Sequence, residues 1–494
     1  MSKNNKTIEE LLNEAIAPED KQLYEVPENW VWTKFGKVAK LYNGYAFKST
    51  DYQEEGIPVI RISDITGEIN SIQKAVKVPS QLYNERFLVR KGDLLIAMSG
   101  ATTGKTGVYN SDEIALQNQR VGNIKEINQQ VLYPKFKNYY VFNNSKEILK
   151  NAYGGAQPNI SGSLIEQLSF PLPPLKEQKR IAEKVERLLN KIEEAKQLIE
   201  EAKETLELRR AAILDKAFHG ELTRKWRQRS TVISPAKKWM EEINSLKEGS
   251  KTKFKDQLDP GIIDILYKLP NEWEWVRLKD IMESSTYGTS SKTNDDVTGT
   301  PVLRMGNIVD GYLELNDLKY LPNNHDDVLK YDLQTNDLLF NRTNSYELVG
   351  KTAVITEEIS DSFTFASYLI RVRLFNKDIL ASYISHYINS HIGRKILSSM
   401  VIQQVGQANI NSQKLASLPI PLPPKEEVVE ITKWLNSYRE LENKQKEMLF
   451  VEESIETLNQ SILSKAFRGE LGTNDPHEES ATELLKEILQ EQVK

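Results

Sequence analysis

Residues 214–222 read LDKAFHGEL, and residues 463–471 read LSKAFRGEL. The two nonamers differ only at Asp215/Ser464 and His219/Arg468. Such a coincidence points to a duplicated unit, and the flanking sequence gives its length. YEVPENWVW at 24–32 returns as YKLPNEWEW at 267–275, and GIPVIRISDI at 56–65 as GTPVLRMGNI at 299–308. GAQPNIS at 155–161 returns as VGQANIN at 405–411, and PLPP at 171–174 recurs at 421–424. The order is kept throughout, so the chain is one unit of about 250 residues written twice, far longer than a solenoid repeat.

Within each unit, short β-like runs (PVIRI, DLLIAM, AVKV; PVLRM, DLLFN, YLIRVRL) alternate with Gly, Asn and Asp turns and a few helical patches. That is the pattern of an α+β domain. PLPP closes it, and proline near a helix start is well tolerated. From Lys176 to Phe218 there is no Pro or Gly, and Ile181, Val185, Leu188, Ile192, Ala195, Ile199, Ala202 and Leu206 repeat in steps of four and three. This is a coiled-coil seam on a rod roughly 60 Å long. The second copy runs from Lys425 to Phe467 with Ile431, Leu435, Tyr438, Leu441, Met448, Val451, Ile455, Leu458 and Ile462. Its three-residue slip near Leu441 implies local overwinding. A striped helix needs a partner, and the nearest partner is the other copy, antiparallel if a pseudo-twofold axis relates the units. TIEELLNEAI at 7–16 resembles ATELLKEIL at 481–489, as though one element were cut between the termini.

The expected fold class is therefore α+β, with two mixed domains separated by two long antiparallel coiled-coil helices. The expected divisions are an N-terminal helical extension (1–20), a first mixed domain (21–175), a central helical region with linker (176–263), a second mixed domain (264–424) and a distal helical region (425–494).

The 494 residues are 39% hydrophobic and 27% charged, an ordinary globular balance. The absence of cysteine excludes disulfides, thiol catalysis and Cys-ligated zinc. Five scattered histidines offer no metal set, and no metal or other cofactor is expected. With no apolar leader or spanning segment visible, a cytoplasmic protein without membrane contact is expected. The net charge of −5 argues against indiscriminate nucleic-acid binding, although a local basic face stays open.

SGATTGKTG at 99–107 approaches the phosphate-binding pattern G-x-x-x-x-G-K-S/T, but Ser99 stands where its first glycine belongs. The counterpart Gly350-Lys351-Thr352 follows a turn with Tyr346 and Glu347 in place of glycine. Both segments, KTGVY and KTAVI, therefore read as strands after a turn. No Asp/Asn-Pro-Pro-Phe/Tyr tetrapeptide for amine methylation and no acid/base carboxylate pair accompanies them.

This arrangement resembles the specificity subunit of a Type I restriction–modification system, over residues 21–471. Its most specific element, Pro173-Pro174-Leu175-Lys176-Glu177-Gln178-Lys179-Arg180-Ile181, matches the family's P-P-x-x-E-Q-x-x-I, and Lys216-Ala217-Phe218 and Gly220-Glu221-Leu222 follow at family spacing. The second copy keeps Pro423, Pro424, Glu427 and Ile431 but carries Val428 in place of glutamine. The resemblance implies a non-catalytic subunit whose two target-recognition domains each read half of a gapped site in double-stranded DNA. It also implies two adenine-methyltransferase subunits and restriction/translocase subunits as partners. A related Type II-like or fused system is the nearest alternative, and a coiled-coil protein adaptor is a different one.

Residues shared by the copies suit scaffold or phosphate roles, since phosphates carry no sequence information. These are Arg61/Arg304, Lys105/Lys351, Arg120/Arg371, Gln157/Gln407 and Asn159/Asn409. For the arginines, a salt bridge on a strand is the alternative. For Gln157 and Asn159, a turn-stabilising role competes with adenine pairing. Divergent polar positions suit base reading: Lys48, Gln117 and Gln119 in the first copy, the latter pair opposed by Tyr368 and Ile370, and Arg342, Asn344 and Tyr346 in the second. Tyr368 joins the candidates. Trp30, Trp32, Trp273 and Trp275 read as core.

Overall fold

The computed structural model describes all residues except 1–6, 66, 68, 70–71, 153–157, 231–232, 248–259, 264–265, 347, 405–406, 450–451 and 494. The chain forms two compact units, one of residues 1–198 with 450–494 and the other of residues 199–449. Each unit holds one mixed domain, the first stretch of one long helix and the last stretch of the other.

In the first unit a four-stranded antiparallel sheet runs in the order Ala39–Asn43, Val121–Glu126, Leu94–Ala97, Thr106–Val108. Beside it Ile57–Ile60 pairs parallel with Ala115–Gln117 and antiparallel with Val76–Val78. The second unit repeats both: Met282–Tyr287, Leu369–Leu374, Leu338–Asn341 and Thr352–Val354 in one sheet, and Thr300–Leu303 parallel to Thr364–Phe365 in the other. Strand Val31–Lys34 pairs with Ser169–Leu172 as Glu274–Arg277 pairs with Pro419–Leu422. The prolines of PLPP fit there because each of these sheets has only two strands, so a missing N–H leaves no inner ladder broken.

The helix Leu175–Phe218 is continuous over its 44 residues. Its counterpart is described as Lys425–Leu449 and Glu452–Phe467. Within each unit the two helices run antiparallel. In the first, Ile181 and Val185 share a core with Ala466 and Phe467, and Leu189 with Ile462. In the second, Leu214, Ala217 and Phe218 share a core with Val428, Ile431 and Leu435, and Arg210 lies 3.9 Å from Glu442. The second seam departs from the expected one. Leu441 and Met448 are exposed, while Glu442, seven residues after Leu435, is buried and faces Arg210. A 3.6-residue period carries the stripe from Leu435 to Glu442, so an ion pair continues it. Alternation of apolar residues alone picked the wrong neighbour.

The domain, the helix start and the far end of the other helix meet at a buried glutamate. Glu177 accepts from Trp30 Nε1 and Asn474 Nδ2, each at 2.8 Å. In the second unit Glu427 accepts from Trp273 Nε1 at 2.9 Å and Thr223 Oγ1 at 2.6 Å, with Arg227 beside it. The KAF-x-GEL turns close over these junctions. Gly220 and Gly469 sit at φ +72° and +71°, where a Cβ would strike Pro270 and Pro27 respectively.

Helix Ala481–Val493 begins with Ala481 N donating to Asn29 O at 2.9 Å, as Ala236–Lys247 begins with Ala236 N donating to Glu272 O at 3.0 Å. Its counterpart is therefore the helix at 236–247. Ile8–Ala15, expected as the other half of a cut element, packs in the same core as 481–493 instead.

His386 on helix Lys377–Asn389 is buried against helix Lys425–Leu449, its Nε2 2.9 Å from Asn436 Oδ1. Burial lowers its pKa to about 4, the Asn436 hydrogen bond opposes this, and Arg439 and Arg210 add to the lowering. A depressed folded pKa gives stability that is present above pH 6.5 and drains as pH falls towards 4. The loss should reach about 3 kcal/mol at most. Denaturant unfolding of the chain at pH 7 and pH 5 should show it, and His386→Gln, which cannot ionise, should flatten the dependence. Equal slopes for both proteins would refute this source.

Candidate nucleic-acid interface

The strand ends bring four loops of each unit together. In the first, Gly104 N donates to Ala97 O at 2.9 Å and Ala97 N to Lys105 O at 2.8 Å, closing the turn between Leu94–Ala97 and Thr106–Val108. Thr102 Oγ1 donates to Ile62 O at 3.3 Å, tying this turn to the Arg61–Asp64 loop. Met98 N donates to Arg120 O and Ile160 N to Met98 O, which adds 118–120 and 158–161. Gly44 lets its loop press on the same place: a Cβ there would stand 2.2 Å from the carbonyls of Gln117 and Asn118. The second unit repeats the backbone bonds of this frame, with Gly350 N to Asn341 O, Arg342 N to Tyr368 O and Ile410 N to Arg342 O. Gly104 and Gly350 both take left-handed φ, +84° and +86°. The segment at 99–107 is thus a hairpin turn, not a strand-to-helix cradle.

These bonds re-register the repeat. Arg120 and Tyr368 share a position, and Arg371 corresponds to Asn123, not to Arg120. Asn123 Nδ2 donates to Asp93 Oδ2 at 2.7 Å, with Lys125 3.2 Å from Asp93. In the other copy Arg371 pairs with Asp332 at 2.8 Å, and Arg373 with Asp337 at 2.7 Å. Burial alone would raise the Asp332 carboxyl, but Arg371 and then Arg373 hold it below the ordinary range. Arg371 is 7% exposed and belongs to the sheet, so its assignment to DNA is corrected. Gln117 is corrected likewise: 1% exposed, it donates to Tyr42 O at 2.8 Å and pins the adjoining strand.

The remaining described candidates each lie within their own unit. Lys48, Lys105, Gln119, Arg120 and Asn159 are exposed. Arg61 and Arg304 are half-buried and head matching turns, their N–H groups donating at 2.8 Å to Asp64 and Asn307. The Arg61 side chain lies 3.7 Å from Asp64, and the Arg304 guanidinium donates to Asp317 O. Arg342 stacks over Tyr287, 4.6 Å from the ring centroid. Asn344 is half-buried in the short strand Thr343–Asn344, while Tyr346 and Tyr368 are exposed. Lys351 lies 3.6 Å from Asp310. Asn409 pairs through its backbone with Thr343. Gln407 is in the strand Gln407–Asn409, and Gln157 lies outside the described residues.

Tyr45 was missed. It is exposed, and its carbonyl takes the Gln119 N–H at 2.9 Å, which places it beside that candidate. The glycine before it, Gly44, matched by Gly288, was the available signal. The cluster offers cations, amides and aromatic faces on a shared hydrogen-bonded frame. That equipment suits groove and backbone contact with a polyanion.

Comparisons agree with this chemistry. Residues 27–204 and 270–449 each match the family described as Type I restriction modification DNA specificity domain. The Type I restriction enzyme EcoKI specificity subunit of Escherichia coli K12 is 27% identical over 460 residues, covering 90% of each chain. The EcoBI specificity subunit of Escherichia coli is 26% identical over 483 residues, covering 94% of this chain and 90% of that one. Among solved structures, the HsdS subunit from Thermoanaerobacter tengcongensis is similar with a TM-score of 0.52 at 21% identity, covering 91% of this chain and all of that one. A chain from a type I R-M system gives a TM-score of 0.61, also at 21% identity and 91% coverage. At such identity the structural likeness is one of fold.

Lys105→Ala should weaken binding to all duplexes alike, lowering the salt slope by about one. Gln119→Ala should instead cost about 1–3 kcal/mol on the cognate half-site only. Gln117→Leu should lower thermal stability first. Fluorescence anisotropy of the subunit assembled with its methylase, over a salt series, separates these effects. A sequence-blind loss from Gln119→Ala would remove it from the readers.

Proposed function

This chain belongs to the Type I restriction–modification DNA specificity family, and from that premise we propose how its two loop clusters divide the work. It is the non-catalytic DNA-recognition subunit of a multisubunit enzyme. Each recognition domain reads one half of a gapped duplex target, and the antiparallel helices fix the gap. Two adenine-methylating subunits dock on the subunit, and restriction/translocase subunits join them, in the cytoplasm where the chromosome lies. The observation that carries this reading is the loop frame built twice with the same backbone hydrogen bonds but with different exposed tips, Arg120 in one copy and Tyr368 in the other. Among the described residues no helix is long and apolar enough to cross a membrane, and no cluster could hold a metal ion.

Identical frames with different tips are what a two-part reader needs, because the frame positions and the tips choose. The protein adaptor reading has no such use for divergent polar tips. Replacing residues 36–165 by the matching segment of a relative should change one half of the methylated motif and leave the other half and the gap intact. Methylome sequencing of strains carrying either gene reads the result. If both halves changed together, the domains would not read independently.

A further inference from the structure

Within the second unit, the last turns of the helix Leu175–Phe218 border a cavity of about 280 Å³ lined by Arg210, Lys351 and Arg394 together with Asp310, Asn389 and Glu207. Each cation comes from a different element: the long helix, the foot of the hairpin beneath the 342–350 loop, and the first turn of helix His391–Met400. Arg439, on helix Lys425–Leu449, joins them by stacking over Tyr312.

Asp310 sits among these cations. Its carbonyl accepts from Arg210 Nη2 at 3.0 Å and Arg439 Nη2 at 3.5 Å, and its carboxylate lies 3.6 Å from Lys351 Nζ. It stands at φ +48° beside Gly311 at +83°, in the two-residue turn between Ile308–Val309 and Tyr312–Leu313. Such a turn needs left-handed backbone, which Asp and Asn tolerate better than most residues. The carboxylate side chain is still 52% exposed, so it is held but not enclosed.

Three cationic side chains and two carboxylates line the cavity, and Arg394 also donates to Val349 O. Glu442 is shared between Arg210 at 3.9 Å and Lys446 at 3.2 Å, and Glu207 is exposed at the rim. Burial lowers Arg439 to about 10, Tyr312 draws it back up, and Arg210 pushes it further down. The first unit differs: Lys105, the counterpart of Lys351, is exposed and forms no ion pair among the described residues.

We propose that this cavity is a phosphate seat for the DNA backbone, filled in the free subunit by the Asp310 carboxylate standing in for the phosphate. The inference rests on the DNA-reading role of the 342–350 loop proposed above. A backbone phosphate arriving at that loop takes the Asp310 carboxylate's place at Lys351 and gains Arg210 and Arg394 as neighbours. The exchange of one anion for another makes the second domain's hold on DNA weaker and less salt-dependent than an open seat would.

Asp310→Asn keeps a residue suited to the turn and removes the charge. In the assembled methylase it should tighten duplex binding by about tenfold near 0.1 M salt and steepen the salt slope by about one. Adding Lys351→Met should return both to the starting values. A second arm titrates the full-length subunit alone with inorganic phosphate by calorimetry: Asp310→Asn should bind it more tightly, and Lys351→Met should abolish the heat. Unchanged salt slope and unchanged phosphate binding would overturn the seat, and phosphate binding without a change in slope would overturn its assignment to DNA. Methylation of a gapped motif by the wild-type complex tests the reading role separately, so the two failures cannot be confused.

Discussion

A buried carboxylate in the first turn of each long helix holds the rest in place. Glu177 and Glu427 are each fully buried, and each is met by an indole N–H from the recognition domain and by a polar side chain from beyond the end of the other helix. A buried carboxylate without such donors is expensive, so these bonds are not interchangeable. The helix N-terminus adds a favourable field for the charge. Burial still raises the Glu177 carboxyl, while Trp30, Asn474, Arg180 and Thr473 pull it down. Domain, helix and far end are thereby fixed at one point, which explains why Trp, Glu and the KAF-x-GEL turn recur together.

On that fixed point rests a frame that can change its reading without refolding. The loop cluster is closed by backbone bonds and by glycines that allow close approach or left-handed turns, so its side chains at the tips carry few structural duties. Those inside it carry many. Gln117 and Arg371 look like readers by type, yet Gln117 donates to the neighbouring strand at Tyr42 and Arg371 is held by Asp332. The distinction between a reader and a strut is therefore one of direction, not of chemistry.

Much of this was legible in the sequence. The duplication, the short strands alternating with turns, the long helix and the antiparallel pairing followed from repeated words and a 3.5-residue period. What escaped was register. YLIRVRL and QRVGNIK align equally well at two offsets, and the bonds from Met98 to Arg120 and from Arg342 to Tyr368, with the parallel pairing of Val59 with Leu116 and Val302 with Thr364, decide between them. Glu442 escaped because a charged residue on a seam is invisible to an apolar count, and its partner Arg210 lies in the other copy's helix. Asp310 escaped because its neighbours come from four separate elements.

The central claim is that the helix pair, and not the recognition domains, sets the distance between the two readings. Each heptad adds about 10 Å of helix, or about three base pairs of B-DNA. Matched heptads inserted between Leu198 and Ile199 and between Leu449 and Phe450 preserve the antiparallel register in both units. Sequencing the methylated motif of a strain carrying that variant is the direct measurement. The same two half-sites with a gap about three base pairs longer, or no methylation where the docked subunits cannot follow the added rotation, is the expected result. An active variant that still methylates the original spacing would contradict the account.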